Sequence, residues 1–227
     1  MKSGVMSLNQ IDAIDTLMAQ YASGGLSAPA SVLVEAHLEM KTDNRRFVND
    51  LENVAGLSLE QVAPSDLTQR DDKLAAIFSS DSSAVTELSD DVASDAERED
   101  GQPQLPLSLR RLIGMDVDDI PWRTKLPGFK EYELGEIDGC HVNMFWIRPG
   151  RTMPAHTHKG CELTIVLEGA FNDERGRFGA GDISIADASV EHRPTAENDR
   201  PCIGFAVLDE GVTLTGSWRQ LVGDLIG

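Results

Sequence analysis

The chain has 227 residues, a formal net charge of −18 and a pI near 4.5. Such a charge excludes direct binding to nucleic acid or an anionic membrane, which would repel it, and permits a basic protein partner. There is no apolar run of about 18 residues and no apolar signal core in MKSGVMSLNQID, so the expected location is the cytoplasm. Cys140, Cys161 and Cys202 are odd in number, far apart and in no CxxC, which reads as reduced thiols.

Residues 8–80 carry helical periodicity. Ile11, Ile14, Leu17, Met18 and Tyr21 recur at spacings of three and four, and Ser23-Gly24-Gly25 ends that run. A second helix starts at Ser31 and aligns Val32, Leu33, Ala36, His37 and Met40. A third, from Arg45, turns Phe47, Val48, Leu51 and Val54 inward. A fourth, from Asp66 to Phe78, does so with Leu67, Leu74, Ile77 and Phe78. So small a bundle has a marginal core and needs a staple or a partner.

From Asp81 to Gln104 acids outnumber bases heavily, with Ser and Ala between them, which predicts a mobile acidic linker and a domain boundary. After Leu105 the chain is β-rich. Predicted strands are Glu131–Ile137, His141–Ile147, Glu162–Phe171, Asp182–Ala186, His192–Ala196 and Ile203–Leu208, separated by turn residues such as Asp138-Gly139 and Asp173 to Gly176. Short strands at this spacing indicate a barrel or sandwich. Ser217–Ile226 reads as a closing helix.

The stretch from Gly150 to Gly169 carries the chemistry. His156 and His158 are two apart, so on a strand both imidazoles share a face. Glu162 has the same parity, and Lys159-Gly160 can bend the strand between them. Two imidazoles and a carboxylate converging on one point are ligands for zinc, iron or manganese. Downstream, Gly179-Ala180-Gly181-Asp182 is a turn, Ile183 and Ile185 alternate with Ser184 and Ala186, and His192 can supply a further ligand from a neighbouring strand. Cys161 points to the opposite face of its strand, Cys202 can face the interior, and His141 faces solvent or a neighbour.

These two segments resemble the paired motifs of the cupin family, small antiparallel barrels that bind metal inside. The second motif departs from the usual pattern, with Asp187 where Pro is common and Ser189 where Gly is common. Over nearly its whole length the chain resembles the ChrR-type anti-sigma factors. The matches are Leu17-Met18-Ala19-Gln20-Tyr21-Ala22-Ser23-Gly24, Ala36-His37-Leu38, Trp122-Arg123-Thr124, and Glu162 to Phe171 through Arg177 to Asp182. The resemblance implies a helical domain that sequesters an extracytoplasmic-function sigma factor, and a cupin holding zinc through His156, His158, Glu162 and His192. It also implies zinc in the helical domain, on an early histidine and an HxxxCxxC. Here Asp12, His37, Lys41 and Asn44 occupy those positions. Lysine is a cation with donors only, and zinc wants thiolate or imidazole. No zinc is therefore expected there, and His37 is read as an ordinary helix residue.

The expected fold is α+β and multidomain: a small N-terminal helical bundle (residues 1–80), an acidic linker (81–104) and a C-terminal all-β, jelly-roll-like cupin barrel (105–227). One divalent metal is expected per chain, zinc ahead of iron or manganese. The leading functional reading is a cytoplasmic anti-sigma factor whose barrel senses an oxidative signal, with contacts between the domains that need not be extensive. The alternatives are a metal-dependent, dioxygenase-like cupin enzyme and a small-ligand-binding cupin.

Overall fold

The computed structural model describes residues 8–79 and 105–215. The acidic linker and the closing helix expected over 217–226 lie outside the described residues. Helices are α1 (Leu8–Ala22), α2 (Ala28–Met40), α3 (Arg45–Leu59), α4 (Arg70–Ser79) and α5 (Leu107–Ile113). Strands are β1 (Arg123–Leu126), β2 (Phe129–Ile137), β3 (Cys140–Ile147), β4 (His156–His158), β5 (Glu162–Glu168), β6 (Ala170–Asp173), β7 (Gly176–Gly179), β8 (Ile183–Ala186), β9 (Thr195–Ala196), β10 (Cys202–Leu208) and β11 (Val212–Leu214). An N-terminal helical region thus precedes a β-rich cupin-like domain. No helix among the described residues is long and apolar enough to cross a membrane.

The chain forms two compact units: residues 1–55 with 104–227, and residues 56–103. The first is built on an antiparallel sheet in the order β1-β2-β3-β10-β5-β8. The smaller sheets β7-β6-β9 and β11-β4 complete the cupin.

Strand alternation decides what each face of the large sheet meets. Leu163, Ile165, Ile183, Ile185, Phe205, Val207, Val142 and Met144 join the core that also contains Leu17, Met18, Leu33 and Val34 of α1 and α2. Their neighbours in sequence point the other way. Val166, Ile147 and Cys202 pack with Phe171 and Phe178 in a second core on that face. Apolar residues on both faces are what a sheet buried on both sides requires.

α1 and α2 are therefore not loosely tethered to the sheet. α1 packs on β8, and α2 packs on β5 and β10. This corrects the expectation of sparse contacts. The physical reason is the outer face of the sheet, which is too apolar to leave in water. α2 also seats α5: the Glu39 carboxylate accepts from the backbone N–H of Leu107 (2.6 Å) and Ser108 (2.9 Å), the free donors of the first turn.

The second unit differs from expectation in its apolar residues. Leu67, Ile77 and Phe78, read as inward, are exposed, as are Leu57, Leu59 and Val62. In α3, Val48 is buried while Phe47 and Val54 are exposed.

The predicted strand Glu162–Phe171 is two strands. Gly169 sits between them at φ +68°, where a Cβ would meet the Pro201 carbonyl oxygen at 2.2 Å. Only glycine turns the chain there from one sheet into the next. β1, β7, β11 and α5 are elements that periodicity did not predict, each seven residues or shorter.

Candidate metal centre

His156 and His158 lie on β4, which pairs with β11. His192 is brought alongside by reciprocal backbone bonds with His156, at 3.1 and 3.0 Å. The three rings cluster, with centroids 4.3 to 5.3 Å apart. One nitrogen from each can be chosen so that all lie within 4.8 Å of one another. His156 Nδ1 donates to the Pro154 carbonyl at 2.8 Å, which leaves its Nε2 lone pair free.

Burial is the main cause that pushes the His156 pKa down to about 4, helped by the charge His192 would carry. The His158 pKa is likewise pushed down to about 4, by burial first and then by His192 and Arg175. Both rings are therefore neutral at neutral pH, as metal ligation demands. His158 Nε2 faces His192 Nε2 at 3.1 Å, and His158 Nδ1 is buried without a hydrogen-bond partner. Three imidazoles whose nitrogens gather this way fit a divalent cation in chemical type.

Glu162 opens β5 after the bend at Lys159-Gly160. Its Oε2 lies 3.4 Å from His158 Nδ1, and its Oε1 accepts from Thr164 Oγ1 at 3.1 Å. It stands beside the three histidines and lines the same cavity as His156 and His192.

Two residues of the site went unread in the sequence. Asp173, at the end of β6, has a fully buried side chain. Its Oδ2 accepts from His192 Nδ1 at 3.2 Å and from Arg175 Nη2 at 2.6 Å. Burial pushes the Asp173 pKa up, but the hydrogen bonds from His192 and Arg175 outweigh it and hold the carboxyl below its ordinary value. Arg175 also donates to Ser184 Oγ (2.9 Å) and the Ile185 carbonyl (2.6 Å), tying the hairpin tip to β8. Arg175 Nη2 also lies 3.1 Å from His192 Nδ1, so carboxylate and guanidinium together hold that side of the ring and leave Nε2 facing His158.

The degenerate helical positions do something else. His37 is buried and its Nδ1 donates to the Gly181 carbonyl at 2.7 Å. The Asn44 amide donates to His37 Nε2 at 2.9 Å, and Lys41 pairs with Asp182. Three of the four family zinc positions thus form a polar clasp between α2 and the turn before β8. Asp12 lies elsewhere, on α1 facing Cys161 and Leu163 across a shallow surface pocket. His37 is more than an ordinary helix residue, because its ring reaches the turn before β8.

Cys161 lies on the helix side of its strand, as parity predicted, and burial with nearby carboxylates pushes its pKa up to about 11. Cys202 packs in the second apolar core, and burial pushes its pKa up to about 12. Neither is a thiolate at neutral pH. His141 is exposed.

The fold and the histidine cluster define a cupin. Residues 110–210 match the ChrR cupin-like domain family. The anti-sigma-E factor ChrR of Cereibacter sphaeroides is 35% identical over 208 residues, which span 92% of this chain and 93% of the relative. A chain in the crystal structure of Rhodobacter sphaeroides SigE in complex with the anti-sigma ChrR superposes with a TM-score of 0.69 at 35% identity, covering 86% of this chain and 96% of that one. The chain belongs to the ChrR family of anti-sigma factors.

Proposed function

We propose that this protein is a cytoplasmic anti-sigma factor that occludes an extracytoplasmic-function sigma factor with its helical segment, residues 1–80. The observation that carries this reading is identity to an anti-sigma factor across both the helices and the barrel. A regulator is favoured over an enzyme for the same reason. The exposed Leu57, Leu59, Val62, Leu67 and Phe78 support it further, since apolar side chains left in water suit a partner. The net charge of −18 suits a partner with basic, DNA-binding surfaces and speeds their encounter. Residues 81–104 form an acidic connection in the sequence between the helical segment and the cupin domain, residues 105–227.

The barrel holds one divalent metal on His156, His158 and His192 with Glu162 as the fourth ligand, zinc ahead of iron or manganese. Zinc on four protein ligands supplies folding energy and shape rather than turnover. Asp173 orients His192 in that site. The barrel reads an oxidative signal and weakens the grip on the sigma factor. The test is co-purification with the sigma factor of the same cell, together with elemental analysis. A stable complex with one zinc per chain is expected. Absence of any complex, with turnover of a small molecule by the iron-loaded protein, overturns the reading.

A further inference from the structure

β8 touches both the helices and the hairpin that supports the histidine cluster. Ile183 and Ile185 join the core shared with α1 and α2, while Ser184, fully buried, points to the opposite face. The strand forms one edge of the large sheet, and among the described residues its strand partner is β5 alone. Two polar attachments hold it. On the cluster side, Arg175 Nη1 donates to the Ile185 carbonyl and Nη2 to Ser184 Oγ, while Nε and Nη2 reach Asp173 Oδ2 at 3.1 and 2.6 Å. On the helix side, Lys41 pairs with Asp182, and His37 donates to the Gly181 carbonyl. Asp182 and Ser184 are two residues apart, about 7 Å along an extended strand.

We propose that Arg175 is a positioning residue that couples the histidine cluster to the helical clasp through β8. The proposal deepens the proposed function and rests on its reading of the cupin domain as the signal-receiving part. A shared acceptor starts the coupling. Asp173 Oδ2 takes a bond from His192 Nδ1 at 3.2 Å as well as those from Arg175, and Arg175 Nη2 itself lies 3.1 Å from His192 Nδ1. Lone pairs on one carboxylate oxygen are few, so a firmer bond from His192 loosens the guanidinium. That guanidinium lies over Phe178, 5.3 Å from the ring centroid, and its other bonds are to β8, so β8 shifts with it. A shift of β8 carries Asp182 and the Gly181 carbonyl, which are the acceptors of Lys41 and His37. Asn44 extends the chain: it donates to His37 Nε2 and directly precedes α3. Coupling of this kind is mutual, so a change in the clasp must alter affinity at the cluster.

The experiment measures zinc affinity of the full chain by chelator competition in wild type, Lys41→Met, Arg175→Lys and the double variant. Lysine keeps a charge beside Asp173 but cannot hold Asp173, Ser184 and Ile185 at once. Lys41→Met should change zinc affinity by about threefold or more in wild type and leave it unchanged in the Arg175→Lys background. Ser184→Ala removes a single bond of the bridge; it should shrink the Lys41 effect and stands in where Arg175→Lys does not fold. The second readout needs no metal. Asp173→Asn should move the His37 ring nitrogen resonances in metal-free protein, and should not move them in the Arg175→Lys background. A Lys41 effect of equal size with and without the Arg175 bridge, or a His37 ring that ignores Asp173, overturns the proposal. Co-purification of the sigma factor with the same samples separates the two readings. A complex without coupling defeats only this proposal. Coupling without a complex supports it and counts against the partner reading alone. A His37 response in protein that binds no zinc supports it and counts against the metal reading alone.

Discussion

His37 and Gly181 lie 144 residues apart and meet in a 2.7 Å hydrogen bond, the ring Nδ1 donating to the backbone carbonyl. That tautomer leaves Nε2 to accept from Asn44, so both ring nitrogens are satisfied inside the protein. Gly181, at φ +81°, lets the Lys41 stem lie against the backbone, since a Cβ would meet Lys41 Cγ at 2.8 Å. Replacing His37 with Ala removes two hydrogen bonds and opens a buried void. We expect a stability loss of about 2–3 kcal/mol in urea unfolding of the full chain, with metal content unchanged. Parallel loss of metal in this variant would place a ligand in the helices.

The same ring makes stability pH-dependent. Burial is the largest cause of the lowered His37 pKa; the Gly181 carbonyl opposes it, Lys41 adds to it, and Asp182 and Asp43 oppose it more weakly. The folded value therefore lies below the ordinary 6.5 of an unfolded histidine. Above that pH both states are neutral and nothing is lost. As pH falls through 6.5 toward the folded value, unfolded chains bind the proton first and stability declines. Wild type should lose more stability than His37→Ala between about pH 7.5 and 5.5, compared by urea midpoints. Identical slopes would remove His37 from the account.

In the barrel, His156→Ala should weaken zinc binding by about a hundredfold or more and lower the thermal midpoint of the zinc-loaded protein. Glu162→Gln should weaken it less, because Glu162 stands beside the three histidines whose nitrogens converge. Competition with a chromogenic chelator ranks the two. Two zinc ions per chain by elemental analysis would contradict the single-site assignment.

Asp173→Asn tests the support behind His192. It keeps the shape but leaves Arg175 without its carboxylate. Zinc affinity should fall about 10- to 100-fold and stability by about 3 kcal/mol. The tautomer readout is specific: the nitrogen shifts of His192 should move in the variant even in metal-free protein. Unmoved shifts would reduce Asp173 to a partner of Arg175.

The shared face of His156 and His158 was legible because two-residue parity on a strand is a local rule. His192 was read as lying on a strand from His192 to Ala196, whereas the strand covers only Thr195–Ala196 and His192 reaches the cluster through an isolated bridge to His156. Asp173 and Arg175 were not legible. They lie in a run of turn residues, where charge normally means solvent, and only the pairing of β6 with β7 folds that tip back onto β8. The clasp was hidden differently. His37, Lys41 and Asn44 read as an eroded zinc motif, since nothing local in a helix announces a carbonyl supplied by a turn far along the chain. The apolar stripes of α3 and α4 read as core because periodicity reports amphipathicity, not what covers it.

β10 runs between β3 and β5, and all seven of its residues are buried. Hydrogen-bonded neighbours on both sides and covered faces above and below leave its amides no local route to water. They should exchange with deuterium only when the whole first unit opens, all at one rate that follows global stability. Fraying at β11 or β4 would leave that rate unchanged. A slow, uniform set of amides in Cys202–Leu208 would thus serve as an internal gauge, against which loosening of the helices or the histidine cluster can be timed separately.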